Sequence, residues 1–441
     1  MSNNNEMIDG FRASASYINA HRNKIFVVLL SGEALADDNL KNIVCDLSLL
    51  HSLGVKLVLV HGARPQITQA LEKQGLQSRY HRNRRITEAE CIETIKQTVG
   101  ALSVTLESMF TRGLSGTPMH DADIRLCRGN FVTAKPLGIH DGIDFQYTGQ
   151  VRKIQNGAIA QLLSNNNIVL LSNLGYSLTG EIFNLSAEEI ATKVAIALNA
   201  EKLILMIPSE GVMDDEGKLI ASLTEEDAKF HANRLAEKDD AESNCIRHAL
   251  LAALRAYSNN VHRSHLISYR SNGSLLQELF TREGNGSLLS SDSFDKLRNA
   301  VINDVTGILS LIKPLEENGT LVERSRERLE TEIDNFVVIE LEGITIACAA
   351  LYPISVECGE LACIAIDPHY FNNGFGDRLL AHIEKIAKEK SLNKLFVLTT
   401  VAAHWFLERG FVEVDVAMLP EERQALYNFQ RKSKVLKKDL N

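Results

Sequence analysis

Ile25-Phe26-Val27-Val28-Leu29-Leu30-Ser31-Gly32 is the stretch that decides the fold: six consecutive apolar residues, then a small polar residue and a glycine. An apolar run of that length, closed by a turn signal, reads as a strand buried on both faces. Residues 55–60, 168–171 and 202–207 repeat the pattern. Between these runs the apolar residues recur at helical spacing. Thr87-Glu88-Ala89-Glu90 has the spacing of a capping box and predicts a helix running toward Phe110. Ser186 is placed to cap a helix with Ile190, Val194 and Ala197 on one face. Strands alternating with helices predict an α/β sandwich on a largely parallel sheet. Gly32, Gly62 and the Thr179-Gly180 pair follow strand-like runs, where backbone amides can approach an anion; a plain tight turn is the commoner reason for each alone.

The rest of the chain bounds the reading. Its 441 residues, 45% of them hydrophobic and 23% charged, predict two or three domains. Asp and Glu number 56 against 47 Lys and Arg, a net charge of -9. That balance argues against wholesale binding to nucleic acid or an anionic membrane. The start, Met1-Ser2-Asn3-Asn4-Asn5-Glu6, lacks the basic and apolar regions of a secretory signal, and no apolar run reaches membrane-span length. Seven cysteines form no CxxC, so reduced buried thiols, no metal and a cytoplasmic location are expected. Gly284-Asn285-Gly286-Ser287 and Ser290-Ser291-Asp292-Ser293 make a polar stretch read as a linker, which sets domains at 1–290 and 296–441 with 291–295 between them.

Beyond residue 296 the element order changes. A strand at 297–301 leads to a helix capped by Asn303 or Asp304, with Val305, Ile308, Leu309 and Ile312 on one face. A helix at 325–333 is followed by strands at 335–341, 344–352 and 360–367, the first two joined by a tight Glu342-Gly343 turn. A helix from Gly376, a strand at 394–399, a helix through Trp405 and a strand at 411–416 complete the domain.

The first part resembles the amino-acid kinase family, particularly N-acetylglutamate kinase. The matching stretches are Val27-Val28-Leu29-Leu30-Ser31-Gly32-Glu33, Val60-His61-Gly62-Ala63-Arg64-Pro65-Gln66-Ile67, Phe183-Asn184-Leu185-Ser186-Ala187-Glu188 and Ala200-Glu201-Lys202-Leu203-Ile204-Leu205. The resemblance implies a three-layer sandwich, but the positions of that family's two lysines hold Leu29 and His248, and its aspartate is Glu188. Phosphoryl transfer needs cations on the developing charge, so a domain that kept the fold and lost the reaction is expected. Lys24 precedes the strand and belongs to its other end. Arginine-regulated members share Tyr17 in an N-terminal helix and the segments His265-Leu266-Ile267, Leu275-Leu276-Gln277-Glu278-Leu279-Phe280 and Gly284-Asn285-Gly286. Likeness to them implies an arginine effector site with Tyr17, Lys202, His265, Glu278 and Gly284. Glu278 suits a guanidinium chemically, although alone Glu278 reads as a solvated helix residue and Tyr17 as simple packing.

Residues 296–441 resemble the GCN5-related acetyltransferase family, through Ile364-Ala365-Ile366-Asp367-Pro368 followed by Phe371-Asn372-Asn373-Gly374-Phe375-Gly376 and a helix. The resemblance implies a smaller mixed α/β domain that binds acetyl-CoA as co-substrate through Ile364, Ile366, Asn372, Asn373, Gly374, Phe375 and Gly376, with amides at a helix start receiving the pyrophosphate. Phe371 stands where that family has a polar residue.

Both halves together resemble the bacterial N-acetylglutamate synthases, a family that makes N-acetyl-L-glutamate from acetyl-CoA and L-glutamate at the opening of arginine biosynthesis. The sharpest matches are Val322-Glu323-Arg324-Ser325-Arg326-Glu327, Ile346-Ala347-Cys348-Ala349-Ala350-Leu351-Tyr352-Pro353, Leu395-Phe396-Val397-Leu398-Thr399-Thr400 and residues 427–436. By this resemblance Arg324, with the amides of Val322 and Cys363, holds the α-carboxylate. Arg431 and Ser433 hold the side-chain carboxylate, and Glu360 is the general base that the protonated amine requires. Phe406 occupies the spacing of the tyrosine acid that many members of the superfamily use, and Thr399 matches a hydroxyl position of the synthase family, which implies it as the replacement. Alone, Arg431 would read as a basic tail, Arg324 as a surface ion pair, Glu360 as an exposed strand-edge carboxylate and Thr399 as an ordinary strand residue. Cys363 invites an acyl-cysteine route, ranked below direct attack because no histidine lies near it in sequence. A homo-hexamer, L-glutamate and acetyl-CoA as substrates and L-arginine as effector complete the implications. The alternatives are an acetylglutamate kinase with an acetyltransferase appendage and a non-catalytic arginine-binding regulator.

Overall fold

The computed structural model describes residues 14–15, 17–111, 124–238, 240–281, 284–290, 295–341, 344–371, 374–424 and 433–440. The chain divides into two compact units, Met1–Asp292 and Ser293–Asn441.

The first unit is built on an eight-stranded sheet. Its strands are β1 (Ile25–Leu30), β2 (Lys56–His61), β3 (Leu126–Cys127), β4 (Ile168–Ser172), β5 (Lys202–Ile207), β6 (Ser222–Leu223), β7 (Arg263–Ser268) and β8 (Gly286–Ser290), in the order β6-β8-β7-β5-β1-β2-β4-β3. All neighbours are parallel except β7 and β8. The apolar run 25–30 is continuous because both faces of β1 are covered. Val27 and Leu29 enter one core with Ile190, Val194 and Leu250, while Phe26, Val28 and Leu30 enter the other with Leu47, Phe110 and Leu279. Helices on both faces of one sheet give three layers. A separate four-stranded sheet holds 132–136, 149–154, 174–176 and 182–184.

Ser186 caps the helix Ala187–Ala197, its Oγ accepting the Glu189 amide at 3.2 Å, a contact worth about 1 kcal/mol. Thr87 does not cap. The helix begins at Ile92, and Thr87 is fully buried with its Oγ1 accepting from Thr148 Oγ1 at 2.9 Å and Asn184 Nδ2 at 3.0 Å. Tertiary hydrogen bonds have taken the side chain that the local spacing assigned to a helix start.

The second unit carries a seven-stranded sheet of β9 (Asp295–Asn299), β10 (Phe336–Leu341), β11 (Ile344–Pro353), β12 (Cys358–Ile366), β13 (Lys394–Thr399), β14 (Val412–Val414) and β15 (Lys434–Asp439), in the order β9-β10-β11-β12-β13-β15-β14. Pairing is antiparallel except between β12 and β13. Helix α1 (Val305–Glu317) and helix α2 (Arg326–Glu332) cover one face, where Val305, Ile308, Ile312 and Leu329 meet Phe336, Val338 and Cys363. Helix α3 (Phe375–Glu389) covers the other with Leu379, Leu380 and Ile383. It starts one residue before Gly376. The Glu342-Gly343 turn lies outside the described residues.

Candidate active site

The site is built where β12 parts from β13. Their parallel register runs Cys358↔Lys394, Gly359↔Leu395, Glu360↔Phe396 and then stops, while β12 continues to Ile366 against β11 alone. The Asp367 amide donates to the Ile346 carbonyl at 2.9 Å, so alternation turns the Ile366 N–H toward the open side. Between the pairs Cys348↔Ala365 and Ala350↔Ala362 one residue of β11 faces two of β12. This bulge holds Cys363 at φ 53, in the left-handed region that costs a side-chain-bearing residue energy. Burial pushes the Cys363 thiol up to about 11, with the nearby Arg324 charge only partly opposing it. At neutral pH it is a thiol, which speaks against the acyl-cysteine route.

Glu360 sits at the fork, directly across the ladder from Tyr352. Its carboxylate is paired with Arg423, Nε donating to Oε2 at 2.5 Å and Nη2 to Oε1 at 3.1 Å. The exposed strand-edge reading of Glu360 fails: its side chain is 14% exposed. Sequence reasoning missed Arg423, which stands 63 residues away in the short helix Glu421–Gln424.

Arg324 lies just before α2, whose N-cap is Ser325. Its backbone amide donates to Glu316 Oε1 at 2.9 Å and its Nη1 to the Val322 carbonyl at 3.0 Å. Arg326 and Arg328 make the i,i+4 ion pairs with Glu330 and Glu332. The Arg324 Nε, by contrast, is buried with no hydrogen-bond partner among the described residues, a donor set for a ligand acceptor. Arg324 and Cys363 interact electrostatically, and Cys363 shares the α1 and α2 face of the sheet. The Val322 side chain is exposed, leaving its backbone as the available contact.

Thr399 ends β13, opposite Lys434. Its Oγ1 accepts the amides of Val401 at 3.3 Å and Ala402 at 2.9 Å, which leaves the hydroxyl proton to be donated elsewhere. The same register brings buried Ser433 to this end of the strand. Arg431 lies outside the described residues. Phe406 is a core aromatic against Trp405 and Phe411, at centroid distances of 4.9 Å and 5.3 Å.

At the segment that the resemblance assigns to the coenzyme, Gly374 caps α3 at φ 72, a conformation suited to glycine. A Cβ on Gly376 would come within 2.9 Å of Trp405 Cζ2. The Phe375 side chain is buried in the α3 core with Ile364 and Ile366 packed nearby, so only its backbone is available to a ligand. Asn372 and Asn373 lie outside the described residues.

In the first unit, Lys202, His265 and Glu278 form a buried chain. Lys202 Nζ is 3.3 Å from His265 Nε2, and His265 Nδ1 is 2.6 Å from Glu278 Oε1. Asn285 N donates to Glu278 Oε2 at 2.7 Å. Burial alone would raise the Glu278 carboxyl, but His265, the Asn285 amide and Lys202 together hold it below its ordinary range. Gly284 has φ 67, and a Cβ there would strike Glu278 Oε2 at 2.7 Å. Tyr17 is buried beside His21, whose Nε2 contacts the Leu279 carbonyl at 2.8 Å, so the N-terminal residues reach the Glu278 helix. The kinase positions behave differently. Leu29 points into the core, and Lys24 pairs with Glu201 at the opposite end of β1. His248 is pushed down to about 4, mainly by burial, and is neutral at physiological pH. It borders a cleft of about 300 Å³ with Arg64, Glu188 and Arg255.

The Amino acid kinase family matches residues 24–268, and the Acetyltransferase (GNAT) family matches residues 303–411. An amino-acid acetyltransferase of Serratia proteamaculans is 48% identical over 436 residues, 99% of each chain. One from Pseudomonas aeruginosa is 49% identical over 99% of this chain and all of its own. The chain belongs to the amino-acid acetyltransferase family. Among solved structures, N-acetylglutamate synthase from Neisseria gonorrhoeae complexed with coenzyme A and L-arginine is similar at a TM-score of 0.81 and 35% identity, over 98% of this chain and 99% of that one. This acetyltransferase has, among its described residues, no helix long and apolar enough to cross a membrane and no group of side chains arranged to hold a metal.

Proposed function

We propose that the chain transfers the acetyl group of acetyl-CoA to the α-amino group of L-glutamate, committing it to arginine synthesis, and that L-arginine restrains it through the first unit. Arg324 and the nearby backbone bind the α-carboxylate, while Ser433 and Arg431 bind the side-chain carboxylate. Glu360, directly or through a water, takes a proton from the substrate ammonium. The freed amine attacks the thioester carbon, whose oxygen is polarised by amides on the open edge of β12. The new C–N bond forms and the C–S bond breaks, and the second proton of the attacking nitrogen passes through the Thr399 hydroxyl, which receives it as it gives its own to the leaving thiolate. The coenzyme lies along Ile364 and Ile366 with its pyrophosphate at the Gly374-Phe375-Gly376 helix start.

The observation that carries this reading is the buried Nε of Arg324, unpartnered among the described residues, on the same sheet face as the bulge at Cys363. The arginine proposal rests on the buried Glu278 carboxylate and the side-chain-free Gly284 against it. Support comes also from the Neisseria synthase, solved with coenzyme A and N-acetyl-glutamate as well as with L-arginine. A hexamer belongs to the same reading, and light scattering of the full chain tests it. The decisive experiment is thiol release from acetyl-CoA with and without L-glutamate, with the product identified by mass. N-acetylglutamate formation is expected; release indifferent to glutamate would end the proposal.

A further inference from the structure

The bidentate contact on Glu360 assigns a role to a residue outside the substrate set. Arg423 and Glu360 have side chains 21% and 14% exposed, so this is not a solvated surface pair of little worth. The short helix that carries Arg423 is anchored independently of Glu360. Leu419 is buried with Phe396 and Val435, and Gln424 Nε2 donates to the Ala417 and Leu419 carbonyls at 3.0 Å and 2.7 Å. Glu360 is held by a strand at its backbone, but its side chain has three rotors. The planar guanidinium takes one acceptor position on each carboxylate oxygen and fixes the plane of the group. A carboxylate has about four such positions, so among the described residues the outward ones stay open to an ammonium or a water.

We propose that Arg423 is a positioning residue that aims the Glu360 carboxylate at the substrate amine. The proposal rests on the reading of Glu360 as the base. Proton transfer needs the acceptor within about 2.6–3.2 Å of the nitrogen or a bridging water, a tolerance that a freely rotating glutamate side chain exceeds. Lysine at position 423 would supply charge at a single point without the fork.

The test uses the full chain with E360Q, R423Q, R423K and the E360Q/R423Q double substitution, each followed by steady-state thiol release. Thermal midpoint and the KM for acetyl-CoA report on folding. R423Q is expected to lower kcat by about 30-fold, a fraction of the roughly 10²–10⁴-fold typical of a general base, with KM for acetyl-CoA within twofold. R423K should recover part of that loss. In the E360Q background R423Q should add less than twofold, because there is no base left to aim. Parental kcat in R423Q, or a full 30-fold further loss in the double substitution, would overturn the proposal and leave Glu360 as the base. E360Q at parental kcat would remove the base assignment and the proposal with it.

Discussion

Arg324→Ala separates substrate binding from folding. Among the described residues the guanidinium makes one bond, from Nη1 to the Val322 carbonyl at 3.0 Å, and its Nε has no partner. Alanine keeps the backbone bond to Glu316, so stability should fall by about 1 kcal/mol at most. A bound carboxylate would lose a charge-assisted contact worth about 1.5–3 kcal/mol per bond. A loss of about 3 kcal/mol raises the KM for L-glutamate roughly 150-fold. The assay is initial-rate thiol release against glutamate at saturating acetyl-CoA, with a urea midpoint alongside. A KM for glutamate within threefold of the parent value would refute the reasoning. A change confined to the KM for acetyl-CoA would refute it too.

Three further outcomes are expected. Cys363→Ser should retain most turnover, and intact-protein mass after mixing with acetyl-CoA should show no acyl adduct on the parent, because burial holds the thiol protonated; a stoichiometric adduct would reinstate the acyl-cysteine route. Glu278→Gln removes the anion from a buried chain with Lys202 and His265, and should weaken L-arginine binding by at least tenfold in calorimetry; parental affinity would move the effector site elsewhere. Acidification should destabilise the fold. His61 and His248 are pushed down to about 4, mainly by burial, while burial raises Asp46 to about 6. Between roughly pH 6 and 4 the unfolded chain binds the two histidine protons that the folded chain refuses, and lacks the one that folded Asp46 keeps. The balance of one proton corresponds to a loss approaching about 1.4 kcal/mol per pH unit as pH falls. Glu188 and Glu278, both held low, add to it in the carboxylate range. Urea unfolding at pH 7 and pH 5 checks this, and equal free energies would contradict it.

The buried strands were legible because both faces of β1, β2 and β5 are covered, which writes an unbroken apolar run into each. Ser186 was legible because capping is local, and Thr87 was misread because its partners, Thr148 and Asn184, are distant in sequence. The acetyltransferase side chains were placed by their likeness to a family, since periodicity says nothing of where β12 and β13 part. Arg423 left no local signal, its meaning residing wholly in a carboxylate on another strand. The left-handed Cys363 was equally hidden, because the bulge arises from register between two strands.

The central claim is that acetyl transfer belongs to the Glu360 and Arg324 site while the kinase-like unit, with Leu29 in its core and a neutral His248, carries no phosphoryl chemistry. Thiol release and ATP consumption followed together in one sample of the full chain test it most directly. Glutamate-dependent release of coenzyme A with no ATP turnover is the expected result. ATP turnover that depends on N-acetylglutamate, with no glutamate-dependent thiol release, would contradict it.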